Sequence, residues 1–268
     1  MGTSQSMPTP KGGQWTNVKR EISDCLAGGN TTSQQIISAV LSAAGGLSIS
    51  SGGGATRGSG GGGGGRTRTR LTGSESSSLS RIASGLAGFG ATIAAEGLDR
   101  ALAVLGIEDL RGRPAGEVIS RIADHLSHES HGLEQSSLRE AIQQAILNAS
   151  ELAGDSTYED LEASLQSFLS LNGIEGLVEL FLTQYVFDRV WVLIEDYVNK
   201  RTDNRRDVAN MEAAIEQACL SQVRNQIGRH KESGSFDNKD WFGRDGIRTA
   251  EGILADLEAS LRAEGAVQ

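Results

Sequence analysis

The sequence predicts an all-α protein, a helical bundle preceded by a flexible, Gly-rich N-terminal region. From about residue 76 onwards, apolar residues recur at steps of three and four, as they do along the buried face of a helix. No stretch alternates apolar and polar residues for long enough to indicate a strand. The links between the periodic segments are short, which favours antiparallel neighbours. Because aromatic residues are only 4% of the 268 residues, we expect a core of Leu, Ile, Val and Ala.

Changes in composition divide the chain into four parts. Residues 1–15 contain Pro and Gly and almost nothing apolar, so we expect a flexible tail that cannot offset its ordering entropy. Residues 16–44 contain two short helical patterns, each ended by a pair of glycines. Residues 45–75 are a Gly/Ser/Arg-rich stretch, which is typical of a flexible linker. Residues 76–268 form an acidic helical domain.

Seven helices are expected within the acidic domain from the spacing of its apolar residues. Their predicted ranges are 77–105, 115–128, 136–153, 157–171, 174–200, 206–229 and 247–263. The most apolar window, residues 177–198, carries five charged residues, which indicates a buried helix of a soluble protein rather than a membrane span. Trp191 lies in this window and is expected in the core.

Charge and cysteine content indicate a cytoplasmic protein that does not bind nucleic acid directly. The net charge is −9, whereas neutralising phosphates requires clustered Lys and Arg. Cys25 and Cys219 are far apart in the sequence and form neither a disulfide framework nor a zinc-ligand pattern, which fits a reducing cytosol. The N-terminus shows no apolar segment of the kind that begins a secretory signal.

Two motifs resemble ligand sites, but neither carries its usual context. Residues 60–67, GGGGGGRT, approach the phosphate-binding loop pattern, although Arg66 replaces its lysine and no strand precedes it. His125, His128 and His131 are spaced by three residues, and we interpret them as residues of a helix end, where a cationic histidine is favoured. We therefore predict no metal site, no cofactor and no catalytic residues of the chain's own.

Four aromatic residues in polar surroundings are candidate partner contacts. Trp15 stands at the edge of the tail, where its ring would either anchor the first helix or dock on a partner. Phe236, Trp241 and Phe242 lie in a polar loop, which is unusual for a solvated connection. These three rings either pack onto the bundle or mark a contact surface.

The N-terminus is the most informative part of the sequence. Gly2 is small enough to permit removal of Met1, which would expose a glycine α-amine with a pKa near 8 and little steric hindrance. A free chain end with small polar neighbours can enter an enzyme pocket. The same residues satisfy the myristoylation pattern, with Ser6 at the required position, and an ordinary frayed terminus is the third interpretation.

The order of these features resembles the QatB family of the bacterial Qat anti-phage system. The resemblance consists of the Met1-Gly2-Thr3-Ser4 start, a Gly/Pro stretch, Trp15, a Gly/Ser-rich linker and an acidic helical body. The stretch LRGRPAGEVISRIADHL at 110–126 also resembles the body of this family. The family implies a system that also contains an ATPase, a QueC-like enzyme called QatC and a TatD-like nuclease.

The resemblance implies that the chain is a protein substrate rather than an enzyme. QatC would use ATP to activate a 7-deazaguanine precursor and join it to the amine of Gly2, with zinc a further candidate cofactor of that partner. Thr3, Ser4, Gln5 and Ser6 would be the residues that the partner recognises. The open alternatives are an N-myristoylated membrane-associated adaptor, an unmodified helical scaffold, and a helical enzyme whose site has no recognisable motif.

Overall fold

A computed structural model describes residues 10, 12–47, 75–128, 132–152, 156–237 and 239–263 of the chain. Within those ranges the backbone forms nine α-helices and no strand, which confirms the all-α prediction. The helices are α1 (Gln14–Leu26), α2 (Ser33–Ala44), α3 (Glu75–Glu96), α4 (Leu98–Val104), α5 (Ala115–Ser127), α6 (Gly132–Ser150), α7 (Tyr158–Arg201), α8 (Arg205–Glu232) and α9 (Arg244–Ala263). Most of the predicted flexible tail and of the Gly-rich linker lies outside the described residues.

Helix α3 contacts α4, α5, α7 and α9. Two of its glycines face different neighbours at close range. A Cβ atom on Gly90 would lie 3.3 Å from side-chain atoms of Leu169 and Leu177 in α7, and one on Gly85 would lie 3.1 Å from Leu126 in α5. Because protein interiors are close-packed, these missing side chains allow α5 and α7 to approach the backbone of α3.

Helix α7 is the longest element and packs against α3, α6 and α8. Its first turn has a capping box in which Thr157 and Asp160 satisfy each other's backbone N–H groups. The backbone leaves the helical region at Gly173, with φ 68° and ψ −177°, a conformation that glycine adopts readily. The predicted break between helices 157–171 and 174–200 is therefore confirmed as a kink within α7. Trp191 is buried in the core, as expected.

The predicted helix at 77–105 is wrong in one respect, because it is two helices. Gly97 ends α3 with φ 90° and ψ 172°, and α4 begins at the next residue. The N–H of Leu98 donates to Oε1 of Glu162 in α7 at 2.9 Å, so a carboxylate from another helix satisfies the first turn of α4. Apolar spacing continues through residue 105, and the break depends on this distant partner as well as on Gly97.

The two N-terminal helices share the hydrophobic core of the other seven. The Ser23 hydroxyl lies 3.0 Å from the Tyr197 hydroxyl of α7, and Ser38 Oγ donates to the carbonyl of Arg262 at 3.1 Å. The chain leaving α2 is held where the Tyr185 hydroxyl donates to the Leu47 carbonyl at 3.1 Å. The four-part division of the chain stays a prediction. It requires that residues 76–268 fold without α1 and α2.

None of the described helices is both long enough and apolar enough to cross a lipid bilayer.

Charged side chains interrupt the apolar surface of α7, and one of them, Asp188, is partly buried. Burial raises the pKa of Asp188 to about 7, and the nearby carboxylates of Glu140 and Glu216 add to the effect. A hydrogen bond of 2.8 Å from Gln184 Nε2 to Asp188 Oδ1 offsets only part of this cost.

The packing of α9 on α3 predicts opposite effects for two glycines of the same helix. A Cβ on Gly246 would lie 2.5 Å from both Ser84 Oγ and the Trp241 carbonyl oxygen, so Gly246→Ala should lower the free energy of unfolding by about 1–3 kcal/mol. Gly252 has nothing within 4 Å of the corresponding position, so Gly252→Ala should raise it by about 0.5–1 kcal/mol. Chemical denaturation of the two variants tests this packing, and a stabilised Gly246→Ala variant would contradict it.

The raised pKa of Asp188 predicts a stability that depends on pH. Between its ordinary pKa of 3.8 and about 7, the folded protein holds a proton on Asp188 that the unfolded chain has released, so stability falls as pH rises through this window. Asp188→Asn removes that loss, and its gain in the free energy of unfolding should grow from near pH 4 to near pH 7, by at most about 4 kcal/mol.

Denaturant titrations from pH 4 to pH 8 measure this dependence. Asp203→Asn makes the same chemical change at an exposed position after α7 and is the matched control. A pH-independent difference for Asp188→Asn would show that the carboxyl of Asp188 titrates normally in the folded protein.

Candidate functional site

The connection between α8 and α9 carries three of the four aromatic residues predicted as partner contacts. Phe236 and Trp241 are buried, and their ring centroids lie 5.4 Å apart. These two rings therefore pack onto the bundle, which was one of the two interpretations of the loop. Phe242, the next residue, is 43% exposed. Adjacent aromatics of one loop thus have opposite environments, and the sequence contains no signal that separates them.

Backbone contacts to α3 and α9 hold this loop in place. The hydroxyl of Ser84 in α3 donates to the carbonyl of Trp241. The N–H of Gly243 donates to Asp240 Oδ1 at 3.0 Å, and the N–H of Gly246 donates to the Asp240 carbonyl at 3.1 Å. Asp240 thereby satisfies N–H groups at the beginning of α9. Because these contacts fix Trp241 in the core, the adjacent residue Phe242 is left at the surface.

The ring of Phe242 lies on the bare backbone of α3 at Gly88. A Cβ on Gly88 would lie 2.8 Å from two carbons of that ring, closer than real Cβ contacts allow. One edge of the ring therefore lies against α3, and Phe242 also borders a cleft of about 400 Å³. The described residues that line this cleft are Ser78, Arg81, Ile82, Gly85, Leu105, His125, Leu126, His128 and Phe242.

This cleft, which we call the Phe242 cleft, combines an apolar floor with a basic rim. Leu105, Leu126 and Ile82 contribute apolar surface, while Arg81 contributes a guanidinium group and His125 and His128 contribute imidazoles. None of the described residues that line it is acidic, although the chain has a net charge of −9. The cleft therefore presents an apolar floor bordered by three nitrogen-bearing side chains.

His125 and His128 lie at the end of α5, where a helix end was predicted. Both side chains are exposed, and α5 ends at Ser127 with His128 as the residue that follows. His131 lies outside the described residues. No group of three or more His, Cys, Asp or Glu side chains in the described part of the chain is arranged to hold a metal ion.

A second polar arrangement lies at the end of α8 and was not visible in the sequence. His230 Nε2 lies 3.0 Å from Asp256 Oδ2, and His230 Nδ1 lies 3.4 Å from Ser235 Oγ, beside a cleft of about 650 Å³. The order Ser, His and Asp resembles a catalytic triad. However, 3.4 Å exceeds the distance of about 2.6–3.2 Å expected between a nucleophile and its base.

The hydrogen bonds around Ser235 indicate that this arrangement ends a helix. The Ser235 hydroxyl lies 2.8 Å from the hydroxyl of Ser233, which in turn donates to the carbonyl of His230 at 2.9 Å. The N–H of Ser235 donates to the same carbonyl at 2.9 Å. Both of these donors satisfy the carbonyl of His230 in the last turn of α8. Asp256 lies 26 residues from His230 in the sequence, which is why spacing alone could not find this pair.

The remaining predicted site residues lie at the N-terminus. Gly2, Thr3, Ser4, Gln5 and Ser6 are outside the described residues, so their roles stay predictions. Trp15 lies in the first turn of α1 and is only 7% exposed. It packs in the hydrophobic core, as the anchor interpretation predicts. A partner contact by Trp15 stays a prediction, and it would require the ring to leave the core.

Comparison with known proteins identifies the family. Residues 62–242 match a family model described as the Qat anti-phage system associated protein QatB. The matched range extends from the end of the glycine run through α3–α8 to Phe242, and so contains every described residue that lines the Phe242 cleft. No curated protein and no solved structure matches the chain. Because the match covers more than half of the 268 residues, the chain belongs to the QatB family and is a component of the Qat anti-phage system.

Proposed function

We propose that this chain is the non-enzymatic substrate subunit of its Qat system. It binds the QueC-like partner QatC, and the N-terminal amine of Gly2 accepts a deazaguanine-type base from that partner. Membership in the QatB family is the observation that carries the proposal, because it establishes a defence system whose components act together. The Met1-Gly2-Thr3-Ser4 start supplies the acceptor, and the folded helices supply the surface on which the partner docks.

The proposed chemistry is amide formation at a free α-amine. QatC uses ATP to activate the carboxylate of a 7-deazaguanine precursor as an acyl-adenylate, with release of pyrophosphate. The amine of Gly2 attacks the acyl carbon, AMP leaves, and the nitrogen loses a proton to give the amide. A glycine amine suits this step because it has no side chain and is partly unprotonated near neutral pH. Thr3, Ser4, Gln5 and Ser6 provide small polar groups for recognition by the enzyme.

The length of chain before α1 gives Gly2 a long reach. Helix α1 begins at Gln14, so residues 2–13 separate it from the N-terminal amine. Twelve residues span at most about 40–43 Å. The amine of Gly2 can therefore enter a catalytic pocket that opens well away from the surface on which the enzyme docks. This separation supports an architecture in which the body binds the partner and the chain end reacts.

The other elements of the proposal follow from this assignment. ATP, the precursor and any zinc ion belong to QatC, and the ATPase and the TatD-like nuclease are further partners in the same system. The chain acts in the cytoplasm, and it makes no direct contact with nucleic acid. Its acidic net charge of −9 supports that last point, because binding to phosphates is driven largely by basic residues.

N-myristoylation of Gly2 is the competing function, and one observation favours it. Gly2 and Ser6 satisfy the pattern that the acyl-transferase reads. A single myristoyl chain binds membranes only weakly unless basic residues assist it, and Lys11, Lys19 and Arg20 are the basic residues nearest the terminus. The two modifications differ in mass and in their requirement for Ser6, so one set of variants separates them.

Mass spectrometry of the N-terminal peptide tests the proposed function. When the full chain is co-expressed with the QueC-like partner and supplied with the precursor, it should lose Met1 and gain one base-sized mass on Gly2. Gly2→Pro should abolish the adduct, because a ring-constrained secondary amine fits poorly in a pocket built around glycine. Added residues before Gly2 should also abolish it, because the reacting amine is then displaced from the pocket.

Ser6→Ala is the matched control for the competing function. It breaks the myristoylation pattern but leaves the amine intact, so the base adduct should persist at close to its original yield. A fatty-acyl mass that disappears in Ser6→Ala would establish the competing function instead. An adduct on a lysine such as Lys11, or no adduct with active partner and ATP present, would refute conjugation at Gly2.

A further inference from the structure

The geometry points to the groove between α8 and α9 as a binding site for a guanine-type base. This groove, which we call the Gln226 groove, has a volume of about 650 Å³. It is bordered by Gln226, Arg229 and His230 of α8 and by Asp256, Ala259 and Ser260 of α9. The inference goes beyond the proposed function, because it assigns a ligand to the folded helices and does not require the modification of Gly2.

The first argument is a row of polar contacts that joins the two helices on either side of Gln226. Gln222, Gln226 and His230 follow one another at steps of four residues, so they lie on one face of α8. The hydroxyl of Ser260 donates to Oε1 of Gln222 at 3.1 Å. His230 Nε2 lies 3.0 Å from Asp256 Oδ2. The first and last members of the row therefore each have a partner on α9.

Gln226, the middle member of this row, has no such partner. Its side chain is 3% exposed, and no group in the described ranges of the chain forms a hydrogen bond with its amide. Gln226 borders the groove, where Ala259 stands between the two polar partners on α9. A buried amide without a hydrogen bond destabilises a protein, and buried polar groups in native proteins are rarely left in this state. A ligand in the groove supplies the missing hydrogen bonds.

The hydrogen-bonding groups of the groove define the edge of that ligand. The amide of Gln226 provides N–H donors, whereas the carboxylate of Asp256 only accepts. Two carboxylate oxygens offer about four acceptor positions, so the contact with His230 leaves capacity for a ligand. A guanine-type base has two adjacent donors, its ring N–H and its exocyclic amine, for the carboxylate, and a neighbouring carbonyl that accepts from the amide. Adenine, cytosine and uracil lack the two adjacent donors.

The other groups of the groove fit the faces of a planar base. Arg229 is exposed, and no carboxylate in the described part of the chain pairs with its guanidinium. A planar guanidinium can stack on the face of a base. The small side chain of Ala259 leaves room for the ring between the helices. The volume of about 650 Å³ lies within the range of sites that bind small molecules.

Calorimetric titration of the full-length chain, purified without any partner, tests the inference with guanosine as the probe. Guanosine should bind with a lower Kd than adenosine, cytidine or uridine. Gln226→Met keeps the length of the side chain and removes the amide, so it should raise the Kd for guanosine about tenfold. Gln217→Met makes the same change at an exposed position of α8 outside the groove, and its Kd should match that of the unmodified chain.

The thermal midpoint without ligand tests whether the amide of Gln226 serves the fold. Gln226→Met should raise the midpoint, because an apolar group replaces a buried amide that has no partner. Gln217→Met should leave the midpoint unchanged. A lower midpoint for Gln226→Met would show that the amide contributes to folding, and the inference would then be wrong.

A change of specificity tests the role assigned to Asp256. Xanthosine carries a carbonyl where guanosine carries the exocyclic amine. Asp256→Asn introduces an amide, which accepts from the ring N–H and donates to that carbonyl, so the variant should prefer xanthosine to guanosine. Asp203→Asn, outside the groove, should keep the preference for guanosine. A purely structural role of Asp256 would not reverse the preference.

Three results would overturn the inference. The first is that the unmodified chain binds no guanosine, or binds adenosine more tightly. The second is that Gln226→Met binds guanosine as tightly as the unmodified chain, which would place the site elsewhere. The third is that Asp256→Asn gains no preference for xanthosine, which would exclude the assigned contact with the base.

The same titration identifies the source of the base. If the chain that carries a Gly2 adduct binds guanosine more weakly, the attached base occupies the groove of its own chain, at an effective concentration set by the tail. If it binds guanosine equally well, the occupant is a free nucleoside or nucleotide. Either result supports the site. Absence of the adduct would overturn the proposed function alone, because the titrations with guanosine use the unmodified chain.

Discussion

Three glycines of α3, at positions 85, 88 and 90, are the constraint on which the packing of α5, α7 and the α8–α9 loop against this helix depends. Gly85, Gly88 and Gly90 let three different neighbours reach the backbone of this helix: Leu126 of α5, Phe242 of the α8–α9 loop, and Leu169 and Leu177 of α7. Between them, Leu86 and Phe89 are fully buried. Glycine lowers the intrinsic stability of a helix, so α3 gains its stability from the packing that these positions permit.

The same constraint connects the core to the surface. Ser84 is one residue from Gly85, and its hydroxyl holds the carbonyl of Trp241 against α3. Gly246 lets α9 begin at the same place, because a larger residue would meet both Ser84 and Trp241. The position of Phe242 is thus a consequence of close contacts between three parts of the chain. These contacts within the chain fix the surface around Phe242. Gly2 is separated from Phe242 by most of the length of the sequence.

Sequence reasoning predicted the helical class and most helix positions because those depend on local periodicity. The kink at Gly173 was also predictable, since Asn172 and Gly173 interrupt the apolar spacing. The break at Gly97 was missed, because Glu162 of α7 supplies the cap and apolar residues continue on both sides. Nor could spacing distinguish Trp241 from Phe242, since burial there depends on Ser84, far away in the sequence.

The candidate site shows the same limit. The aromatic loop and the histidines were both noted in the sequence, but their meeting at one cleft was not, because α3, α5 and the α8–α9 loop are brought together only by folding. No motif or spacing in the sequence singled out Arg81. The N-terminal residues are the opposite case, because the role of Gly2 rests on the chemistry of a chain end and on family resemblance, and not on tertiary contacts.

The burial of all three tryptophans gives this chain a built-in set of optical reporters. Trp15, Trp191 and Trp241 are each less than 10% exposed, and they lie in α1, α7 and the loop before α9. Indole fluorescence shifts to longer wavelength when water reaches the ring, so each residue senses the opening of a different region. Detachment of α1 and α2 alone would expose Trp15, whereas Trp191 and Trp241 lie in other elements. Intrinsic fluorescence can therefore distinguish partial opening of this protein from complete unfolding, without any label.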